Sequence, residues 1–342
     1  MKEAHVSKGP VVKIVDSPIP EPEDDQVLIQ VVVSGSNPKD WKVPQWLGDS
    51  NNGGDDIAGI VHSVGKNVWD FKKGDRVASF HEMRTKGGSY AEYALGWSHS
   101  TFLLPNNVSF EEAATLPLAA MTAAIGLFLR LKLPQPWVPK SADTGPLVVY
   151  GGASAVGAYA IKLAKQAGIH PIIAVAGRGI PYVEKLIDRS KGDTVIDYRQ
   201  DDSKIVSDIR SALNGQKLWY AFDAVSEHGS YGNIVKVLEE KGGKITFVLP
   251  GKNYEGIPEG VEQTITSVGS THSDAKDFAY VWFRYLARGL AEGWFTPHPF
   301  EVVSGGLAGL QGALENLRDG KASATKYVFR IADTEGAGQS KL

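Results

Sequence analysis

Cysteine is absent from the 342-residue sequence. Disulfide bonds, thiolate metal sites and cysteine nucleophiles are therefore excluded. Long apolar segments are missing as well, because no run approaches the ~20 residues of a membrane-spanning helix. Residues 1–15 also lack the apolar core of a signal peptide. We expect a cytoplasmic protein that has no membrane partner.

An excess of charge of one sign is also missing, since 36 basic residues face 39 acidic ones and the formal net charge is −3. Nucleic-acid binding needs a dense basic surface, so no nucleic-acid partner is expected. The eight histidines are never three to five residues apart, and no G-x-S-x-G motif occurs. We therefore predict no metal site and no serine nucleophile of the hydrolase type.

The length favours two domains, and the N-terminal part is rich in predicted strands. Short β-branched runs separated by turn residues indicate strands at 26–33, 57–64, from 74 onward, and at 90–95. Ser89, Tyr90 and Glu92 are interpreted as strand residues rather than catalytic ones. Frequent turns between short strands predict a barrel-like unit.

From residue 110 the pattern changes to helix and then to alternating strands and helices. An Ala/Leu-rich helix is predicted from Phe110, interrupted at Pro117. Strands are predicted at 147–150, 171–175, 194–196, 218–222, 244–249 and 326–331, and a further helix at 274–292. This alternation is typical of an α/β domain with a parallel sheet covered on both faces.

The segment 145–168 combines a strand, a glycine-rich turn and a helix. The N-terminus of such a helix attracts a pyrophosphate through its N–H groups and its dipole. Gly152 and Gly157 match the first and last positions of the dinucleotide motif G-x-G-x-x-G, whereas Ser154 replaces the middle glycine. The motif alone fits an ordinary tight turn too, but its place in the first βα unit favours cofactor binding.

The residues that follow the next predicted strand, 171–175, bear on whether the cofactor is NAD or NADPH. An NAD site has Asp or Glu about 20 residues past the last glycine, to accept the ribose 2′-hydroxyl. Here Gly177 and Arg178 occupy that place. Arg178 can clamp a 2′-phosphate through its planar guanidinium, or it is a solvated loop residue. The sequence favours NADPH.

The order of these segments resembles the medium-chain dehydrogenase/reductase superfamily over nearly the whole chain. The segments that carry the resemblance are 31–42, 53–68, 74–77, 87–95, 110–127, 195–199 and 306–331. Zinc alcohol dehydrogenases of this superfamily carry Cys and then Gly-His-Glu at their catalytic metal, where this chain has Asn37 and Gly54-Asp55-Asp56. The stretch NPKDWK (37–42) and residues 296–310 look closer to fungal stand-alone, trans-acting enoyl reductases. The quinone oxidoreductases are the neighbouring branch.

The resemblance implies two domains and a set of cofactor contacts. A GroES-like substrate domain would comprise residues 1–118 with 290–342, and a Rossmann domain residues 119–289. The phosphate loop would be Ala153-Ser154-Ala155-Val156, with Gly177, Arg178 and Tyr198 beside the adenosine phosphate. Leu249 would also contact the cofactor, while Lys42 and Thr122 would lie at its nicotinamide end.

The implied activity is NADPH-dependent transfer of hydride to the C=C bond of an α,β-unsaturated carbonyl or enoyl thioester in secondary metabolism, without zinc. Lys42 and Thr122 are the candidate catalytic residues, because a metal-free site needs hydrogen-bond donors for the carbonyl oxygen. Lys42 as an exposed loop lysine, an NADPH quinone oxidoreductase, and a non-redox member of the fold remain alternatives. The substrate would be a small molecule or carrier-bound, and the protein a monomer or homodimer.

Overall fold

The computed structural model describes residues 1–139 and 144–338. Its strands are β1 Lys2–Ser7, β2 Val11–Asp16, β3 Gln26–Gly35, β4 Asp56–Val64, β5 Arg76–Phe80, β6 Tyr93–Trp97, β7 Thr101–Leu103, β8 Leu147–Tyr150, β9 Ile172–Ala176, β10 Thr194–Asp197, β11 Tyr220–Asp223, β12 Lys244–Phe247, β13 Glu262–Ile265, β14 Phe300–Val302 and β15 Lys326–Arg330. Its α-helices are α1 Lys39–Leu47, α2 Phe110–Ala113, α3 Pro117–Ala124, α4 Ala155–Gln166, α5 Ile180–Val183, α6 Asp202–Leu213, α7 Ser230–Val235, α8 Lys276–Glu292 and α9 Leu310–Arg318.

The chain divides into two compact units. The terminal unit comprises Met1–Met121 and the chain from Gly269 onward, and the central unit comprises Thr122–Val268. The second boundary differs from the predicted one, which assigned residues 269–289 to the cofactor domain. Helix α8 belongs to the terminal unit because it packs on β7, where the rings of Phe102 and Phe283 stack with centroids 5.4 Å apart.

The terminal unit is built on a seven-stranded, mostly antiparallel sheet. Its order is β14-β15-β3-β4-β5-β7, with β6 also paired to β3. Strand β3 is long and almost wholly buried, because its run QVLIQVVV supplies apolar side chains to both faces. Strands β3 and β4 approach closely at Gly59, where a Cβ atom would lie 2.1 Å from the Gln30 carbonyl oxygen.

Two of the predicted elements in this part of the chain need correction. The strand predicted at 90–95 begins only at Tyr93. Ser89, Tyr90 and Glu92 precede it, and their side chains contact other segments: the Ser89 hydroxyl bonds to Ser34, and Glu92 accepts the Gly338 N–H. Ser89, Tyr90 and Glu92 therefore lie outside the strand that was predicted to contain them. The helix predicted from Phe110 forms two α-helices and then a π-helical segment, Ile125–Arg130.

The central unit contains a six-stranded parallel sheet of order β10-β9-β8-β11-β12-β13. In order of first appearance this is 3-2-1-4-5-6, the doubly wound dinucleotide-binding arrangement. The predicted parallel sheet is therefore confirmed. Every residue of β8 and β9 is buried, which explains why their sequences are continuous apolar runs. Within the described ranges no helix has the length and hydropathy needed to cross a bilayer.

Candidate active site

The turn between β8 and α4 forms a cradle at the carboxyl end of the central sheet. Ser154 caps the helix, and its Oγ accepts the Gly157 N–H at 3.0 Å. Gly151 has a φ of 83°, which favours glycine. A Cβ atom on Gly157 would lie 2.2 Å from the Gly151 carbonyl oxygen, so only glycine lets the helix pack this closely on the turn. The first turn of α4 thus starts directly behind the strand end.

This cradle fits the pyrophosphate of a dinucleotide. It follows β8, and the strand order reverses between β8 and β11, which is the point where such sheets bind their ligands. Ser154, at the position of the missing middle glycine, is exposed and uses its hydroxyl oxygen to cap its own helix. The replacement therefore does not prevent the backbone N–H groups of the first helical turn from facing an anion.

The residues predicted near the adenosine phosphate follow the next two strands at the same sheet edge. A Cβ atom on Gly177 would lie 2.5 Å from Cζ of Tyr198, so the tyrosine ring rests on the glycine backbone. Arg178 is exposed beside them. Asp197 is engaged by Arg199 in a two-point contact that lowers the pKa of the Asp197 carboxyl. No carboxylate of this kind occurs at the end of β9 itself.

The other predicted site residues lie on separate elements. Leu249 follows β12, and its carbonyl oxygen accepts the Tyr254 hydroxyl at 2.8 Å. Lys42 lies in α1, half-buried, with its Nζ 5.6 Å from the centre of the Trp41 ring. Thr122 is buried in α3, directly after the boundary between the two units. The structure brings residues 153–156, Gly177 and Tyr198 to the carboxyl end of the central sheet, while Lys42 belongs to the terminal unit.

A feature that the sequence reasoning missed is a buried charge network in the terminal unit. Its members are Asn37, Lys39, Asp40, Asp55, Asp56, His81, Tyr90 and Lys326. Lys39 contacts both Asp40, at 2.8 Å, and Asp55. Nδ1 of His81 lies 2.9 Å from Oδ1 of Asp55, and the Tyr90 hydroxyl donates to Asp40 at 2.5 Å.

The second half of the network is centred on Asp56. Its Oδ2 accepts the Asn37 side-chain N–H at 2.6 Å and the Lys326 ammonium at 2.5 Å. Its Oδ1 accepts the backbone N–H of Leu118 at 2.7 Å. Asn37 joins the two halves, because its own backbone N–H donates to Asp40 at 2.7 Å. All of these groups lie within the terminal unit.

Burial and charge oppose each other in this network. Burial outweighs the Lys39 ammonium at Asp40 and raises the pKa of that carboxyl. At Asp55 burial also opposes ionisation, but Lys39 and His81 together hold the pKa below its ordinary value. Burial raises the pKa of Tyr90 as well, so its hydroxyl stays protonated and acts as a donor. Each ionised carboxylate therefore depends on a specific cationic or N–H partner.

A signal for the network was present in the sequence. Asp55 and Asp56 immediately precede the apolar run IAGIV, and Lys326 opens the buried strand KYVFR. Charged residues are almost never fully buried without a partner. An oppositely charged side chain could therefore have been expected beside each of these residues. In residues 1–139 and 144–338, no three His, Asp or Glu side chains are grouped so as to hold a metal ion.

Two half-buried histidines form a second polar contact in the terminal unit. Nε2 of His99 lies 3.2 Å from Nδ1 of His272, and the His272 ring stacks on Phe80 with centroids 5.1 Å apart. Burial, with the nearby charges of Lys276 and Arg284, lowers the pKa of His99 to about 4. Burial, with His99 and His81 nearby, lowers the pKa of His272 to about 3. Both rings are neutral at pH 7.

The histidine pair predicts an acid-sensitive stability. The folded pKa values lie below the ordinary 6.5. The stability of the fold with both histidines neutral is therefore complete above pH 6.5, and it is lost as pH falls towards 4, because the unfolded chain binds protons first. We expect the free energy of unfolding to fall by about 2 kcal/mol for each of the two histidines between pH 6.5 and 4.5. Urea unfolding of His99→Phe/His272→Phe should show a smaller fall, and the exposed control His228→Asn should follow the wild type. If the free energy of unfolding fell equally with pH in all three proteins, the histidine pair would not be the cause of the acid sensitivity.

The comparisons with known proteins agree with this geometry. Residues 23–106 match the alcohol dehydrogenase GroES-like domain. Over 312 residues the chain is 50% identical to trans-enoyl reductase fsr4 of Gibberella fujikuroi, a match that covers 90% of this chain and 92% of the relative. The chain belongs to the trans-enoyl reductase family. The resemblance inferred from the sequence segments is confirmed.

Solved structures show that this trans-enoyl reductase family member shares its fold with a wider group. A putative zinc-dependent alcohol dehydrogenase from Rhizobium etli matches with a TM-score of 0.83 at 23% identity, covering 96% of this chain and 98% of that one. A mycobacterial protein complexed with NADPH matches with a TM-score of 0.76 at 20% identity, covering 96% and 99%. The predicted α/β fold, with a GroES-like unit and a parallel Rossmann-type sheet, is confirmed.

Proposed function

We propose that this member of the trans-enoyl reductase family is a zinc-independent reductase that uses NADPH to reduce the C=C bond of an α,β-unsaturated carbonyl or enoyl thioester. The observation that carries the proposal is the cradle of Gly151, Ser154 and Gly157, at the point where the strand order of the central sheet reverses. Family membership supplies the reaction class. A protein of the same fold has been solved with NADPH.

The residues of the central unit would hold the cofactor, whose chemical contribution when bound is a transferable hydride. The backbone of residues 153–156 would bind the pyrophosphate at the positive end of α4. Arg178 and Tyr198, together with the Gly177 backbone, would surround the 2′-phosphate, and Leu249 would line the site. Lys42 and Thr122 would lie at the nicotinamide end.

The independence from zinc is supported by the buried charge network. Asn37, Asp55 and Asp56 stand where zinc alcohol dehydrogenases carry metal ligands, and here ammonium groups engage them. Lys326 contacts both Asn37 and Asp56, and Lys39 contacts Asp55. A metal cation at this place would be repelled by two ammonium charges, of which that of Lys326 is buried and that of Lys39 half-buried. Without a metal, oxidation of a simple alcohol lacks the group that would lower the hydroxyl pKa.

The reduction itself needs a substrate whose C=C bond is held next to the transferable hydride, and a hydrogen-bond donor to the carbonyl oxygen. Hydride addition to the β-carbon moves the C=C electron pair towards the carbonyl, so negative charge develops on the carbonyl oxygen. Lys42 or Thr122 would donate to that oxygen, and a proton from a side chain or from water would complete the α-carbon. The product is the saturated carbonyl compound. A site with few polar groups is sufficient for this reaction.

The substrate class is tested by direct profiling of the purified protein. With NADPH we expect consumption of small enones or enoyl thioesters, and with NADP⁺ no oxidation of simple alcohols. Prolonged chelation should leave this activity intact, and elemental analysis should find no stoichiometric zinc. Turnover of quinones alone would favour the quinone oxidoreductase alternative, and activity restored only by added zinc would contradict the proposal.

The cofactor preference depends on Arg178. We expect Arg178→Ala to narrow the preference for NADPH over NADH by about tenfold, because a charge-assisted contact to phosphate is lost from an exposed, solvent-screened position. Fluorescence titration with both cofactors measures the ratio of dissociation constants. Arg189→Ala is the control, since Arg189 is exposed and pairs with Glu184. Equal wild-type affinities for NADPH and NADH would contradict the assignment.

A further inference from the structure

Asp56 is a buried carboxylate whose two oxygens hold three different segments together. Oδ2 accepts from Lys326 in β15 and from Asn37 after β3, and Oδ1 accepts from Leu118 in α3. Asp56 is 0% exposed and Lys326 is 3% exposed. Burying a carboxylate is costly unless a cation and hydrogen-bond donors surround it, and here one ammonium group and two N–H groups do so. This arrangement fixes the orientation of the carboxyl group.

The contact with Leu118 caps a helix from a distant part of the sequence. Helix α3 starts at Pro117, which has no N–H, and Leu118 is the second residue. The N–H groups of a first helical turn have no acceptor within the helix, and negative charge is favourable there. Asp56, 62 residues earlier in the chain, supplies that acceptor and that charge at 2.7 Å. This hydrogen bond connects the start of α3 to the first residue of β4.

The same carboxylate is also connected to α1. Asn37 donates its side-chain N–H to Asp56 and its backbone N–H to Asp40, in the first turn of α1. Thr122 follows Leu118 by one turn in α3, and Lys42 lies one turn into α1. Both segments that carry the candidate nicotinamide-end residues therefore begin at groups bonded to Asp56 or to its partner Asn37.

We propose that Asp56, with Lys326 as its counter-charge, is a positioning residue that sets α3, and with it Thr122, for hydride transfer. The proposal rests on the proposed function for its catalytic consequence. Asp56 does not act on the substrate, because both of its oxygens are engaged by protein donors. Its loss is expected to misplace the reacting groups rather than to remove one, and displacements of about 1 Å reduce rates by up to about a hundredfold.

The experiment compares two double variants that both lack the buried ion pair. In Asp56→Asn/Lys326→Met the side-chain oxygen of residue 56 still accepts the Leu118 N–H. Its new amide N–H donates to the Asn37 side-chain oxygen, which Lys326 no longer occupies. Asp56→Leu/Lys326→Met has no acceptor at that place. Neither leaves an unpaired buried charge, so the two variants differ in the hydrogen bonds that residue 56 makes to Leu118 and to Asn37. Hydrogen exchange of residues 118–122, NADPH affinity, kcat and KM are measured for both.

The expected result is a separation between the two variants. Asp56→Leu/Lys326→Met should exchange the Leu118 amide at least about tenfold faster and lose about ten- to a hundredfold in kcat, with KM and NADPH affinity within about threefold of the wild type. Asp56→Asn/Lys326→Met should keep kcat within about threefold. Equal exchange and equal kcat in the two variants would overturn the proposal, as would a loss confined to KM.

The exchange measurement separates this proposal from the proposed function. If the wild type reduces no enone or enoyl thioester, the function fails, while exchange at Leu118 still decides whether Asp56 holds α3. If the leucine variant does not fold, Asp56→Asn alone replaces it. Lys326 and Asn37 would then attract the amide oxygen, so the amide N–H₂ faces Leu118 and faster exchange is expected. Unchanged exchange in that variant would overturn the proposal.

Discussion

Gly157→Ala is expected to weaken NADPH binding by about a hundredfold. A Cβ atom there would lie 2.2 Å from the Gly151 carbonyl oxygen and 3.0 Å from the Gly152 Cα. Both neighbours are backbone, so α4 and the turn must separate rather than a side chain rotate. Overpacking of this kind costs about 1–3 kcal/mol, and here the cost falls on the groups that we propose bind the pyrophosphate.

The matched control is another helical glycine of the central unit. Gly232 lies in α7, where an added Cβ atom has no neighbour within 4 Å. Gly232→Ala should leave NADPH affinity unchanged and stabilise the fold slightly, since alanine is favoured over glycine in helices. Fluorescence titration with NADPH compares the two variants. Equal affinities for Gly157→Ala and Gly232→Ala would show that the turn does not bind the cofactor.

Lys39→Met is expected to lower the free energy of unfolding of the terminal unit by about 3–5 kcal/mol. The substitution keeps much of the side-chain volume but leaves Asp40 and Asp55 without their shared ammonium. Because an unpaired buried carboxyl then binds a proton more tightly in the folded state than in the unfolded state, the deficit should narrow as pH falls from 7 to 5. Urea unfolding at both pH values measures it.

The control for Lys39 is an exposed ion pair of similar chemistry. Lys204 contacts Asp208 four residues along α6, and its side chain is more than half exposed. Lys204→Met should cost less than about 1 kcal/mol, because solvent screens the charges. A deficit below 1 kcal/mol for Lys39→Met at pH 7, or one that widens on acidification, would contradict the account of the network.

Much of the fold was predictable because the relevant signals are local. The strand 147–150 was predicted to the residue, and the turn and helix that follow lie within the predicted segment 145–168, since an apolar run, two glycines and a helical pattern are adjacent in the sequence. The hairpin of β1 and β2 was not predicted. Strand β2 is largely exposed, so its sequence lacks the clear alternation that marks a half-buried strand.

The buried charge network was harder to predict because its contacts join residues far apart in sequence. Asp56 and Lys326 are 270 residues apart, and Asp40 and Tyr90 are 50 apart. No local spacing rule connects such pairs, although Asp56 and Lys326 each stand at the start of an apolar strand. The domain boundary at residue 268 was missed for a related reason, since α8 follows the central sheet in sequence but packs on β7.

The transfer of hydride to the β-carbon is tested most directly with deuterium-labelled NADPH. The purified protein is incubated with the labelled cofactor and a small enone, and the product is examined by NMR and mass spectrometry. The account predicts one deuterium at the β-carbon of a saturated ketone, with the α-carbon proton taken from solvent. Deuterium on the carbonyl carbon of an unsaturated alcohol would identify a ketone reductase and contradict the proposed function.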